Sequence, residues 1–395
     1  MKFKNKGRKI YKTKEKNYYG KSPMGKFLSG ALTVLLIGGI GFLGYSVAEP
    51  IINYTKHKGD EPAVTEPPVT EPVTTAAVVT SATMPAPTEA PTEPVTEEYY
   101  TAASLKVTDL ANIDALKSAL ASIPKSEEIS YIELPVKVSG GEVYYASSVY
   151  EAQAAVKSTI SLSEMIKEIE NSGFKAAAVI SIFRDNLVPI NFPDAGYVLA
   201  SDGSQWYDKD NKLWASPYSQ RAIDYSSSLV LELTNAGFER IICSDFVFPD
   251  FTEYDLQNLD PILSKNDRCM SLTSTANLLY DNAVSNGASM QIEVSAEDIL
   301  CNRKDILQPM LLSSNNIILN IEMDRLANGI ADGETIYEFE GSPAEMVEQC
   351  LILVNGDLVD FNTTIKISGV SISAQDLSDI KKAVSEYGYK SFVIG

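Results

Sequence analysis

The chain has 395 residues, of which 45% are hydrophobic and 22% are charged, so it is long enough for one large domain or two ordinary ones. Its formal net charge of −19 argues against nucleic acid as the main partner, because phosphate binding requires clustered positive charge. The only histidine, His57, lies in a polar, turn-forming stretch and no two cysteines have CxxC spacing, which excludes Ser-His-Asp and Cys-His catalysis, histidine-based metal sites and zinc ribbons.

The N-terminal part of the chain has the pattern of a membrane anchor. Residues 1–26 contain ten Lys or Arg and one acid, and the next 22 residues, 27–48, contain no charge and are long enough to cross a bilayer as a helix. The positive-inside rule predicts a cytoplasmic tail over 1–26 and an extracellular remainder. A cleavable signal peptide is the alternative, but the apolar run is long for one, so we predict a retained single-pass anchor in the cell membrane.

Residues 49–98 are predicted to be a disordered linker. Within it, segment 61–98 contains nine Thr, eight Pro and seven Glu but no Lys or Arg. Such a composition cannot bury a core, and proline favours extended conformations. At ~3.1 Å per residue the segment could hold a domain on the order of 100 Å from the membrane, which suits a bacterial cell wall.

The remaining residues, 99–395, alternate between strand-like and helix-like segments. Seven helices are predicted in the gaps between strands, although the fourth and fifth are poorly defined because Pro309 interrupts the latter. Strands such as 177–183 and 316–321 are apolar on both faces, as in a covered parallel sheet. The predicted fold class is therefore α/β, a (β/α)8 TIM-type barrel, with an open doubly wound sheet as the alternative. The eight strands are predicted near 102–108, 129–137, 176–183, 239–246, 288–294, 315–322, 363–369 and 390–394.

The chemistry of such a domain must come mostly from carboxylates, lysines, serines and tyrosines, because we expect no metal and no cofactor. In a (β/α)8 barrel the site lies at the carboxyl ends of the strands. Glu293 and Glu322 are the clearest candidates, since each interrupts an apolar strand and an unpaired buried acid is costly. Two carboxylates across a barrel mouth are what glycoside hydrolysis requires. The alternative is that each acid caps a helix or pairs with an arginine. The polar residues in or after successive strands are Glu133, Arg184, Asp185, Ser244, Asp245, Glu293, Glu322 and Asp324.

The segment that follows the third strand, 185–218, is rich in aromatic residues. Aromatic faces stack on the apolar faces of sugars, so this loop predicts a glycan groove, with a self-packed loop as the alternative. Trp206 stands among polar residues and is expected to be exposed over the mouth, whereas packing within the loop is slightly favoured for Trp214. The aromatic residues are Phe192, Tyr197, Trp206, Tyr207, Trp214 and Tyr218, which include both tryptophans of the chain.

Several of these stretches resemble a bacterial family of extracellular glycoside hydrolases, which are barrels distantly similar to amylase-type enzymes. The resemblance covers roughly residues 130–250. It is carried by YIELPVKVSGGEVYYAS at 131–147, IFRD at 182–185, Trp214, Pro217-Tyr218, Tyr225 and GFERIICSDFVFP at 237–249. It implies the same barrel and a carbohydrate substrate. The candidate substrate contacts are the strand-end residues Arg184, Asp185 and Ser244 and the aromatic residues Trp206, Trp214 and Tyr218.

The resemblance also implies catalytic positions, and the sequence departs from them. Glu293 would be the general acid. The aspartate of the family pattern at the fourth strand, GFDEIQFDYIRFP, falls on Ser244, and Asp245 is one residue away. Neighbouring strand residues point to opposite faces, but a bulge near the strand end could turn Asp245 inward, and Glu322 is the other candidate for the second carboxylate.

Two functional hypotheses follow. The first is a membrane-anchored domain that binds or acts on cell-surface or environmental polysaccharide, with catalysis by Glu293 together with Asp245 or Glu322. The substitution at Ser244 favours a degenerate catalytic site and little turnover. The second is a non-catalytic surface scaffold or protein-interaction barrel.

Overall fold

Eight parallel strands form a closed barrel in the computed structural model, which describes residues 99–124, 129–260, 265–333, 335–369 and 373–395. Each strand pairs with the next in chain order, and the last pairs with the first. The predicted (β/α)8 barrel is therefore confirmed, and the open sheet is wrong. The strands are β1 (Thr101–Ser104), β2 (Tyr131–Lys137), β3 (Lys175–Ser181), β4 (Arg240–Ser244), β5 (Ser289–Ser295), β6 (Asn316–Glu322), β7 (Asn362–Ser368) and β8 (Phe392–Ile394).

Seven helices connect these strands on the outside of the barrel. Ser161 and Ser342 begin the second and sixth of them with capping boxes, as the sequence predicts. The fourth is a regular helix, whereas the fifth has only five residues and is followed by turns that contain Pro309, which cannot continue a helix. The helices are α1 (Ile113–Ser122), α2 (Leu162–Asn171), α3 (Gln220–Ala236), α4 (Lys265–Ser285), α5 (Ala296–Leu300), α6 (Pro343–Leu358) and α7 (Ala374–Glu386).

The connections between the barrel strands and the seven helices contain further short elements in the described residues. Three are short α-helices, over Leu187–Asn191, Glu253–Asn258 and Met323–Asn328, and three are 3-10 helices, over Val107–Leu110, Tyr150–Ala155 and Pro193–Ala195. Two small antiparallel sheets pair Val198–Leu199 with Leu259–Asp260, and Ile330–Asp332 with Thr335–Tyr337. The first of these sheets ties the aromatic loop after β3 to the connection that follows β4.

The closure of the ring is uneven. β6 and β7 are paired over seven residues, whereas β1 is paired over three residues with β2 and over three with β8. The first and last strands therefore have the shortest pairing in the barrel. They bring Thr101 next to Phe392 in register.

The core has two parts. Apolar side chains of the strands and helices fill the space between the barrel and the helices outside it. Inside the barrel lies a smaller apolar cluster that includes Ala177, Val179, Ile242, Ile318 and Val393. Buried ionisable side chains also lie in this interior.

The predicted cytoplasmic tail, membrane span and linker, residues 1–98, lie outside the described residues. Among the helices of the described part, none combines the length and the apolar character that a bilayer crossing requires.

Candidate functional site

The carboxyl ends of the strands surround a cavity of ≈ 230 Å³, which we call the mouth cavity. Three predicted acids line it: Asp245 after β4, Glu293 in β5 and Glu322 at the end of β6. Arg184 and Ser244 line it as well. Five of the candidate residues are thus gathered in one place, because the ends of parallel strands meet at the same face of a barrel.

Asp245 reaches the mouth cavity through an unusual backbone conformation. Its φ of 59° is left-handed, a region that aspartate enters more readily than most residues. The neighbouring Ser244 still belongs to β4, and both residues line the cavity although adjacent strand residues normally face opposite sides. The Nε atom of Arg184 lies 3.5 Å from Oδ1 of Asp245. Burial raises the pKa of Asp245, and Arg184 partly offsets that effect.

Glu293 lies deeper and is almost completely buried. Its Oε2 accepts a hydrogen bond from Nζ of Lys366 at 2.9 Å, and its Oε1 accepts one from Nδ2 of Asn320 at 3.2 Å. Burial raises the pKa of Glu293, and the nearby carboxylate of Glu133 acts in the same direction against the opposing effect of Lys366. A carboxyl group with a raised pKa is suited to proton donation near neutral pH.

Glu322 stands at the rim of the mouth cavity. It is the residue before the helix Met323–Asn328, but its side chain makes no capping hydrogen bond. Its Oε2 lies 3.9 Å from Nε of Arg325, which is a loose contact. Burial raises the pKa of Glu322 as well, so three acids with raised pKa values face one cavity.

Three side chains that hold residues of the site were not among the predicted ones: Lys366 and Asn320, which contact Glu293, and Asp298, which contacts Arg184. Oδ1 of Asp298 accepts hydrogen bonds from Nε of Arg303 at 2.7 Å and from a terminal nitrogen of Arg184 at 3.3 Å. The sequence does contain a signal for Lys366 and Asn320, because each is a polar residue between apolar residues of a strand, as Glu293 is.

A second depression of ≈ 390 Å³, the Trp214 groove, adjoins the mouth cavity and shares Arg184 and Glu297 with it. Nε1 of Trp214 donates a hydrogen bond to Oδ2 of Asp208 at 2.7 Å. The guanidinium carbon of Arg184 lies 5.3 Å from the centroid of the Trp214 ring. Arg184 therefore links the aromatic wall of the groove to Asp245 in the cavity.

Trp206 is in the core, so its expected exposure is wrong. The residue is only 6% exposed, and its Nε1 donates a hydrogen bond to Oδ1 of Asp255 at 2.8 Å. Its ring packs against Phe251 and Tyr197, with centroids 5.0 and 6.0 Å away. The polar sequence around Trp206 is misleading because the loop folds back on the segment after β4, which covers the indole.

Asp185 and Tyr218 line neither the mouth cavity nor the Trp214 groove. Asp185 is fully buried, and its Oδ2 lies 2.9 Å from Nζ of the equally buried Lys137. Its Oδ1 accepts hydrogen bonds from the backbone N–H groups of Leu187 and Val188, the first two residues of the short helix Leu187–Asn191. Tyr218 packs on Phe248, with ring centroids 6.0 Å apart.

The comparison with known families follows the same part of the barrel. A family model described as "Putative glycosyl hydrolase domain" (DUF4015) matches residues 103–300, which is half of the chain. The chain belongs to this family. The resemblance carried by the motifs is therefore confirmed. The matched region of this glycosyl hydrolase family runs from β1 through α5, so it contains Asp245 and Glu293, whereas Glu322 and Lys366 lie beyond it.

Solved structures resemble this chain at low sequence identity. The glycoside hydrolase domain of PgaB (BpsB) from Bordetella bronchiseptica has a TM-score of 0.50 at 12% identity, over 75% of this chain and 93% of that chain. A hypothetical protein from Ruminiclostridium thermocellum has a TM-score of 0.41 at 16% identity, over 48% and 95%. Ega3 of Aspergillus fumigatus, in complex with galactosamine, has a TM-score of 0.36 at 10% identity, over 75% and 90%. The likeness to the PgaB domain shows the barrel fold alone. No curated protein matches this sequence.

Within the described residues, no group of three or more His, Cys, Asp or Glu side chains is arranged to hold a metal ion.

Proposed function

We propose that residues 99–395 bind a polysaccharide along the Trp214 groove and hydrolyse a glycosidic bond in the mouth cavity. The observation that carries the proposal is the left-handed turn at Asp245, which places a second carboxylate in the same cavity as Glu293. This is the strand-end distortion that a working site would need with serine at position 244. Membership of the glycosyl hydrolase family supports a carbohydrate as the substrate.

The surroundings of the two acids assign them different roles. Asp245 lies beside the guanidinium of Arg184 and the hydroxyl of Ser181, and both favour its carboxylate form against the effect of burial. Burial favours the protonated form of Glu293, and the carboxylate of Glu133 adds to this effect against the opposing effect of Lys366. Glu293 is therefore the general acid that protonates the leaving oxygen. Asp245 acts at the anomeric centre, either directly or through a water molecule.

A second function, glycan binding without cleavage, is favoured by a separate observation. Both acids are already engaged by cations: Asp245 by Arg184 and Glu293 by Lys366. A domain that kept these pairs when a glycan was bound would hold the polymer and not cut it. Turnover measurements distinguish the two functions.

The two tryptophans provide a matched test of the groove. Trp214→Ala is expected to weaken polysaccharide retention about tenfold, which corresponds to ~1.4 kcal/mol of lost stacking, and to lower the unfolding free energy by about 1 kcal/mol. Trp206→Ala removes a core side chain and is expected to lower the unfolding free energy by about 3–5 kcal/mol. Affinity electrophoresis on a polysaccharide panel and denaturant unfolding give the two values. Unchanged retention on every polymer with Trp214→Ala would contradict the proposed groove.

We also propose that residues 27–48 anchor the chain in the cell membrane, with the barrel outside the cell and 49–98 as a spacer. The ten-to-one excess of basic residues in 1–26 supports this orientation. Protease added to intact cells is expected to cut within 61–98 and release a fragment that contains the barrel. If the barrel remains protected from the protease until the cells are lysed, the proposed orientation is wrong.

A further inference from the structure

Three buried ionisable side chains meet inside the barrel. Nζ of Lys366 in β7 lies 2.8 Å from Oε2 of Glu133 in β2 and 2.9 Å from Oε2 of Glu293 in β5. All three side chains are more than nine-tenths buried. Because these strands are not neighbours in the ring, the contacts cross the interior of the barrel.

Neutral side chains complete the coordination of this cluster. The hydroxyl of Tyr100 donates to Oε1 of Glu133 at 2.9 Å. The hydroxyl of Ser368 donates to Oδ1 of Asn320 at 2.7 Å, which orients the amide so that its NH₂ group faces Glu293. Each oxygen of Glu293 therefore has its own donor, and the position of the carboxyl group is fixed before any ligand arrives.

The charges of the cluster do not balance. Two carboxylates and one ammonium carry a net charge of −1 when all are ionised, and burial makes such an excess costly. The other charged or titratable groups that act on Glu293 or line the mouth cavity with it are Tyr100, Lys137, Arg184, Asp245, Glu297, Asp298, Glu322 and Arg325. The carboxylate of Glu133 raises the pKa of Glu293, and the ammonium of Lys366 lowers it.

We propose that Lys366 is a positioning residue that holds Glu293 at the floor of the mouth cavity, and that Glu133 is the counter-carboxylate that holds Lys366. Lys366 does not line the mouth cavity, so it acts through Glu293 and not on a ligand. This inference rests on the proposed function only for the role of Glu293 as general acid. The geometry and coupling of the three groups can be tested without any substrate.

Two substitutions move the titration of Glu293 in opposite directions. Lys366→Met removes the cation and is expected to raise the titration midpoint of Glu293 by about one pH unit or more. Glu133→Gln keeps the shape and the hydrogen-bond acceptor but removes the like charge, so it is expected to lower the midpoint. The measurement is ¹³C NMR of the side-chain carboxyl groups in the purified full-length chain, with Glu293→Gln to assign the signal. The matched control is Lys304→Met, since Nζ of Lys304 pairs with Asp357 at 2.6 Å on the surface.

Activity provides a second measurement. If Glu293 is the general acid, the high-pH limb of kcat/KM moves with the midpoint, upward in Lys366→Met and downward in Glu133→Gln. We also expect Lys366→Met to lower kcat more than it raises KM, because a displaced acid affects the reaction and not the groove. A purely structural role would not shift the midpoint in opposite directions in the two variants.

Each outcome decides the proposal. Opposite shifts that are absent from Lys304→Met support it, even if the wild type neither binds nor cleaves any polysaccharide, in which case only the proposed function fails. An unchanged Glu293 midpoint in a folded Lys366→Met variant overturns it. If Lys366→Met does not fold, Glu133→Gln decides alone, and a midpoint that does not fall overturns the coupling of the three groups.

Discussion

Glu293→Gln is expected to lower kcat for polysaccharide hydrolysis by about 10²–10⁴-fold while leaving polysaccharide retention nearly unchanged. The amide has the shape of the carboxyl group and can still accept the hydrogen bond from Lys366, but it cannot give a proton to the leaving oxygen. Because the acid works in its protonated form, wild-type activity is expected to fall as the pH rises through the raised pKa of Glu293. The high-pH limb of the profile should be absent from the residual activity of the variant.

The assay uses the full-length chain on a broad panel of polysaccharides. Asp245→Asn tests the second carboxylate, and Glu322→Gln tests whether the rim acid takes that role instead. The matched control is Glu239→Gln, which makes the same chemical change at an exposed side chain just before β4, at the opposite end of the barrel. Undiminished turnover in Glu293→Gln would remove this residue from the mechanism. A wild type that retains a polymer but cuts none would establish binding without cleavage.

Lys137→Met is expected to lower the free energy of unfolding by about 3–5 kcal/mol. Nζ of Lys137 lies 2.9 Å from Oδ2 of Asp185, and both side chains are 1% exposed. The same ammonium donates to the backbone oxygen of Ser181. Removing it leaves the Asp185 carboxylate buried without its cation, and an uncompensated buried charge is strongly destabilising.

Denaturant unfolding measures this loss against two further variants. Lys209→Met removes a lysine that is 74% exposed and 3.5 Å from Asp250, so a loss below about 1 kcal/mol is expected. Adding Asp185→Asn to Lys137→Met removes the orphaned charge but keeps an oxygen for the N–H groups of Leu187 and Val188, so part of the stability should return. Equal losses in Lys137→Met and Lys209→Met would show that the buried pair contributes no more than a surface pair.

The barrel was predictable because its strands have a strong local signal. Segments such as 177–183 and 316–321 are apolar on both faces, and only a sheet covered on both sides buries them completely. Eight strand-like segments with helical patterns between them leave few topologies. The fifth helix was less predictable, because Pro309 breaks the pattern and the connection there consists mainly of turns.

The site was predictable only as far as residue positions determine it. The rule that chemistry lies at strand ends selected Asp245, Glu293 and Glu322, which do meet. The direction of the Asp245 side chain depends on one backbone dihedral angle, which the sequence does not specify. The exposure of the two tryptophans depends on which distant segment covers each indole. Trp206 meets Phe251, and Trp214 lines a groove, although their sequence neighbours favour the reverse.

The short pairing of β1 and β8 has a consequence for how the barrel folds during synthesis. Thr101 in β1 pairs with Phe392 in β8, 291 residues later, and each contact of β1 spans only three residue pairs. Because the chain is synthesised from its N-terminus, β1 cannot pair with β8 until nearly the whole domain has been synthesised. Until Phe392–Ile394 emerge, β1 and β7 each present an unpaired edge, which is a template for pairing with another chain. Ring closure is therefore the last strand pairing of the barrel that a nascent chain can form, and three residues near position 393 complete it.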